Sequence, residues 1–100
     1  MKYKILTTQK FDKWFKSIKD KRIRFRIEAR LSQAASGHFG DHKMIDGNIS
    51  ELRFFFGGGL RIYFTVRNEE IILLLNGGDK SNQSNDIEQA LALFDQMEEQ

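Results

Sequence analysis

The spacing of hydrophobic positions changes period several times along the chain, and each change predicts an element. Residues 2–7 alternate, which predicts a short first strand with Tyr3 and Ile5 on one face. Thr7 or Thr8 then offers a hydroxyl to cap a helix. Phe11, Trp14, Phe15 and Ile18 follow at i, i+3, i+4 and i+7, an amphipathic stripe of the kind that builds a core rather than a ligand site. Asp20 caps the next segment, which carries two periods at once. Ile23, Phe25 and Ile27 alternate with Arg24 and Arg26 as in a strand, while Ile23, Ile27, Leu31 and Ala34 repeat as in a helix. Its length and the helix-forming Glu28, Ala29 and Arg30 decide for a helix ending near Ser36 and Gly37. The two helices form an antiparallel hairpin.

Residues 37–48, with three glycines and both histidines, read as a loop. Residues 50–56 then put Leu52, Phe54 and Phe56 on one face of a strand and Glu51, Arg53 and Phe55 on the other. Gly57, Gly58 and Gly59 permit the positive φ angles of a tight reversal. In residues 60–67 the residues Leu60, Ile62, Phe64 and Val66 point inward, and Arg61, Tyr63, Thr65 and Arg67 outward. After a turn at Asn68, Glu69 and Glu70, residues 71–75 are apolar on both faces, as in a central strand. Asn85 with Glu88 has the spacing of a capping box for a last helix bearing Ile87, Ala90, Leu91, Phe94 and Met97. The expectation is one α+β domain over residues 1–100: an N-terminal strand, a helical hairpin packed on a small antiparallel sheet, and a C-terminal helix.

Composition changes this picture little. The apolar share of 40% and charged share of 30% are ordinary for a globular domain of 100 residues. The chain has no cysteine, hence no disulfide framework and no thiolate chemistry. No apolar run has bilayer-spanning length, and the N-terminal sequence lacks the features of a secretory signal, so a cytoplasmic location is expected. Charge is more informative. Residues 1–67 carry 15 Lys and Arg against 6 Asp and Glu, whereas residues 68–100 carry 1 Lys against 8 acids. A basic body can meet a polyanion such as nucleic acid, or it can be a set of solvated helix faces.

Candidate chemistry concentrates in residues 51–81. Arg53, Arg61 and Tyr63 fall on the outer face of neighbouring strands, a set suited to a phosphate and a stacked base, although such alternation also occurs on plain solvated faces. Lys80 follows Gly77 and Gly78 at the exit of a central strand, where glycine lets a ligand approach the backbone. Asp79 either bonds to the turn or orients Lys80. His38 and His42 stand four apart, but Gly40 between them disfavours a helix and no third ligand is near, so no metal site is expected. Asp41, Asp46, Glu51 and Asp79 are too scattered to argue for magnesium. No phosphate-binding loop or dinucleotide fingerprint is present, because the triple glycine leads into a strand rather than a helix. No serine stands in a nucleophile-elbow context.

Taken in order, FDKWFKSIKD, RIEARL, GHFGDHKMI, SELRFFFGGGLRIYF and LLLNGGDKSNQSNDIEQA resemble the HigB-type "addiction module killer" proteins of the RelE/ParE toxin superfamily. The most specific pieces are G-D-x-K over residues 40–43, E-L-R over 51–53, G-x-G-x-R-x-Y-F over 57–64 and G-G-D-K-S over 77–81. The resemblance covers nearly the whole chain.

It implies the toxin of a type II toxin–antitoxin pair. RelE-like members cut mRNA in the ribosomal A site without a metal or other cofactor; the 2′-hydroxyl attacks the adjacent phosphate, leaving a 2′,3′-cyclic phosphate, or its opened form, and a 5′-hydroxyl. Carried over residue by residue, Arg61 and Lys80 stabilise the transition state and Arg53 and Lys43 position the RNA backbone; His42 is the imidazole near them available as a base, and Tyr63 and Asp79 join the substrate-binding candidates from the residue pattern. Where RelE-like toxins carry a tyrosine near the start of the last helix, this chain has Asp86 and Ile87. The acid and base therefore stay open. Implied partners are a cognate antitoxin encoded alongside, often with a helix-turn-helix domain, the ribosome and mRNA, and promoter DNA through the antitoxin complex; no membrane is involved. The ParE branch, which poisons DNA gyrase without the catalytic set, gives the alternative of a non-enzymatic toxin. An inactive module that only binds its antitoxin is a third.

Overall fold

The computed structural model describes residues 2–98. Its elements are β1 (Lys4–Thr7), α1 (Gln9–Ser17), α2 (Lys21–Ala35), β2 (His42–Met44), β3 (Ser50–Arg53), β4 (Arg61–Arg67), β5 (Ile71–Gly78), a 3-10 turn (Lys80–Asn82) and α3 (Gln83–Glu98). The five strands form one sheet in the order β1-β5-β4-β3-β2. The caps expected of α1 and α2 are present: Thr8 Oγ1 accepts from the Phe11 N–H at 3.0 Å, and Asp20 Oδ1 from the Arg22 N–H at 2.9 Å. Gly37, at φ 97°, follows the end of α2.

The helices cover both faces of the sheet. Phe11 of α1 and Ile27 and Ala34 of α2 pack on Leu52, Ile62, Phe64, Ile72 and Leu74. On the opposite face Ala90, Ile87, Leu91 and Phe94 of α3 pack on Ile49, Tyr63 and Leu75. As expected, β5 is apolar on both sides because both are covered.

Four expectations need correction. The sheet is mixed rather than antiparallel: β1 lies parallel to β5, with Lys4 opposite Ile71 and Thr7 opposite Leu74, because the helical hairpin carries the chain across one face before the antiparallel strands begin. The 37–48 segment contains a strand, β2, antiparallel to β3. All three of its residues are exposed, so it leaves no hydrophobic alternation to read; a turn in which Asp46 Oδ1 accepts from the N–H groups of Asn48 and Ile49 folds it back. The last helix begins at Gln83, behind a 3-10 turn capped by Asp79, so Asn85 and Glu88 lie inside it and form no capping box. Finally, the outward side of β4 is not wet. Tyr63 is 0% exposed and Thr65 4%, whereas Val66, expected inside, is 39% exposed. The face read as solvated is the one that α3 covers.

Two glycines of β5 set how closely the helices approach. A Cβ on Gly77 would stand 2.5 Å from the Trp14 ring of α1, and one on Gly78 would stand within contact of the Asp86 carboxyl of α3. The backbone there is approached by the chain's own helices, one on each face, and not by a ligand as the sequence suggested. Between these glycines and the rest of β5, a bulge opposite Tyr63 and Phe64 breaks the register, and Leu75 packs beneath α3 while Asn76 Nδ2 donates to the Asp86 carbonyl oxygen at 3.0 Å.

Gly77→Ala is expected to destabilise the fold by about 1–3 kcal/mol through overpacking against Trp14, measured by urea denaturation. The control Gly47→Ala, where nothing lies within 4 Å of the added carbon, should change stability by no more than about 0.5 kcal/mol.

Candidate functional site

Register places the candidate cations in rows. Arg53 of β3 lies opposite Arg61 of β4, and Arg61 opposite Gly78 of β5. Directly paired residues of an antiparallel ladder share a face, and Gly78 has Asp86 above it. The row therefore runs Arg53, Arg61, Gly78, on the α3 face of the sheet at the end where α3 begins. The next row on that face is Lys43, Glu51, Tyr63 and Asn76.

Arg53, Arg61 and Lys80 line one cleft of about 400 Å³, together with Asp41, Phe54, Phe55, Gly58 and Gly59. The triple glycine makes this closure possible. All three residues have φ between 61° and 77°, a left-handed path in which side chains are strained. The resulting turn lies against the 79–80 segment: the Lys80 N–H donates to the Gly58 carbonyl at 3.4 Å, and the aliphatic stem of Lys80 passes Gly59.

The three cations are held differently. Arg61 is fixed: Nη1 donates to the carbonyls of Gly59 and Leu60 at 3.0 and 3.2 Å, and Nε lies 3.8 Å from Glu51 Oε2. Glu51 is 2% exposed and also accepts from Gln83 Nε2 at 3.0 Å. A buried carboxylate costs several kcal/mol unless paired, so Glu51 and Arg61 depend on each other. Arg53 is looser, reaching Asp41 Oδ1 at 3.3 Å with both side chains more than a third open to solvent or nearly so, a contact worth about 0–1 kcal/mol. Lys80 is exposed and makes no ion pair among the described residues. The cleft thus presents one fixed guanidinium, one held by a weak surface pair, and one exposed ammonium.

Arg30 of α2 assembles the wall of this cleft. Its Nε, Nη1 and Nη2 donate to the carbonyls of Phe39, Arg53 and Asp41 at 3.2, 3.0 and 2.7 Å, and its guanidinium lies 4.8 Å from the Phe54 ring centre. Gly40 passes beneath with no room for a Cβ, which would stand 2.7 Å from Arg30 Nε. Burial lowers the Arg30 pKa, and the Asp41 charge opposes that shift.

The remaining predicted residues lie elsewhere. His42 is opposite Leu52 and so on the face away from Arg53 and Arg61; its ring packs edge-on to Phe39 at 5.5 Å and Nδ1 is 2.8 Å from the Gly40 carbonyl oxygen. Strand alternation thus removes it from the cleft. Lys43 shares the cleft's face but is exposed on the edge strand, one row away. Tyr63 is buried under α3, so it offers no ring to a base. Burial first, then the charges of Glu51 and Asp86, push its phenol well above the ordinary tyrosine range. Asp79 turns to its own helix, accepting from the Ser81 hydroxyl and N–H, which lower its pKa. Among the described residues no three His, Asp or Glu side chains converge as a metal site.

Sequence reasoning gave no role to Asp86, Phe55 or Arg30. Asp86 is 8% exposed; burial first, then Asp79, raise its carboxyl pKa, outweighing the favourable first-turn position on α3. Tyr63 Oη, Asn76 Oδ1 and Arg61 Nε, all buried in this region, have no hydrogen-bond partner among the described residues. A cluster of buried polar atoms without partners among the described residues therefore lies behind the cleft.

Two outcomes follow from this geometry. Because the folded protein raises the Asp86 pKa, the acid form stabilises the fold at low pH, and that contribution is lost as pH rises through the raised value. Asp86→Asn should therefore be more stable than the native chain at pH 7, with the difference closing as pH falls below the ordinary carboxylate range; urea midpoints across a pH series measure this. Arg30→Lys keeps the charge but not the three-way fork, and should cost about 1–3 kcal/mol in the same measurement.

No known protein-family model matches the chain. No helix among the described residues is long and apolar enough to cross a membrane. An uncharacterized protein of Haemophilus influenzae is 40% identical over 97 residues, covering 97% of this chain and 98% of the relative. Identity at that level over essentially both full lengths places the chain in one family with the Haemophilus influenzae protein.

Proposed function

We propose that the protein is the toxin of a type II toxin–antitoxin pair with a RelE/HigB-like fold, and that it cuts mRNA on the translating ribosome. The observation that supports this is the meeting of Arg53, Arg61 and Lys80 in one cleft, although they come from three separate segments. Three cations against two carboxylates, Asp41 on the cleft wall and Glu51 behind Arg61, leave a positive excess that suits a phosphate on which negative charge grows. In the reaction the 2′-oxygen attacks the adjacent phosphorus, the bond to the 5′-oxygen breaks, the attacking hydroxyl loses its proton and the leaving oxygen gains one. Arg61, held by Glu51 and the turn carbonyls, stabilises the phosphorane with Lys80, while Arg53 exchanges Asp41 for the backbone. The antitoxin is a separate protein encoded beside the toxin, and it neutralises the basic body of the chain.

The ParE-like alternative does without a catalytic set, so a cleft that unites the three cations favours cleavage over gyrase poisoning. Induction of the protein alone, followed by mapping of mRNA 5′ ends, separates the two. Codon-phased cuts on translated messages are expected; intact mRNA with damaged DNA overturns cleavage. Arg61→Ala and Lys80→Ala should each slow cutting about 10²–10³-fold. Cells that remain poisoned by the double variant would remove both residues from the chemistry.

A further inference from the structure

Phe55 is 91% exposed at the tip of the β3–β4 connection. A single exposed apolar residue is ordinary on a protein surface, but the position of this one is not. Phe55 lines the Arg53–Arg61–Lys80 cleft on one side and, on the other, a second groove of about 420 Å³ lined by Arg26, Ala29, Arg30, Gln33 and Phe54–Phe56. Its neighbours are already used: Arg26 lies over Phe56 at 4.0 Å and Arg30 over Phe54 at 4.8 Å. Among the described residues the Phe55 ring makes no aromatic or cation–π contact and has cations on both sides, while Arg22, one helical turn before Arg26, is paired with Asp20 at 3.5 Å.

Alternating cationic grooves and an open aromatic face are what a single-stranded nucleic acid requires, because phosphates follow the charge and bases stack on the ring. Resting on the RNA-cleaving function proposed above, we infer that Phe55 is the stacking platform for the base beside the phosphate in the cleft, and that the strand continues over it into the Arg26–Arg30 groove. Phenylalanine has no polar edge, so the platform positions the strand without reading the base. Any sequence preference of the enzyme then arises elsewhere.

The test is single-turnover cleavage by the full chain of a synthetic mRNA on programmed ribosomes, at a series of enzyme concentrations. Phe55→Ala should raise the concentration giving half-maximal rate about tenfold and leave the maximal rate within about twofold, and Phe55→Trp should restore it. An abasic nucleotide at the platform position should cost the native enzyme a similar factor and cost Phe55→Ala little more. Because Phe55 is so exposed, an unchanged melting curve confirms that the variants fold. Cleavage by Phe55→Ala indistinguishable from native overturns the platform, as does a variant that cuts normally but no longer binds the antitoxin, which would assign this surface to a protein. If Arg61→Ala and Lys80→Ala lose cleavage while Phe55→Ala does not, the cleft stands and the platform falls. A native protein that cuts no message takes the RNA-cleaving function with it.

Discussion

The packing of α1 and α3 against opposite sides of β5 at two consecutive glycines is the constraint on which the rest of the molecule depends. Trp14 occupies the space above Gly77 and Asp86 the space beside Gly78, so that neither helix can be moved outward without opening a void nor inward without a clash. That contact fixes where α3 starts. The start of α3 in turn places the 3-10 turn and Lys80 at the lip of the sheet, and brings Gln83 onto Glu51. This close packing thus lies directly beneath the cluster of buried polar groups.

This arrangement accounts for how the cleft holds its charge. Repulsion among neighbouring guanidiniums is offset in two ways that differ in reversibility. Glu51 compensates Arg61 from within the fold, where no competing ligand reaches it, whereas Asp41 compensates Arg53 at the surface, where an anion can take its place. A site built so has a permanent part, which gives it shape, and an exchangeable part, which binds.

Much of the fold was legible in the sequence. The aromatic stripe of α1, the helical reading of α2 against its strand-like alternation, the left-handed triple glycine and the doubly apolar β5 all rest on local periodicity, and local periodicity survived. The cations Arg53, Arg61 and Lys80, singled out by strand alternation and strand exit, line one cleft. What failed depended on the layer above. Tyr63 alternates like an outward residue, and outward on β4 means beneath α3, a fact carried by residues some 30 positions later. His42 looked close to the arginines because β2 was invisible; once it is a strand, a shift of one residue from Lys43 turns the imidazole to the other face. Arg30 read as one more surface charge of α2, although its fork closes on carbonyls 9, 11 and 23 residues away.

That fork also ties the cleft to the helical hairpin. A fragment beginning at Phe39 would contain Asp41, Arg53, Phe55, Arg61 and Lys80 and would keep the bond from the Arg53 N–H to the Asp41 carbonyl at 2.9 Å, but it would lose the three donors with which Arg30 ties the 39–41 loop to the end of β3. The wall of the cleft therefore rests on contacts 9, 11 and 23 residues apart, all made by one side chain of α2. The β3–β4 ladder alone brings Arg53 and Arg61 into register, and the docked α2 adds the wall that closes the cleft around them.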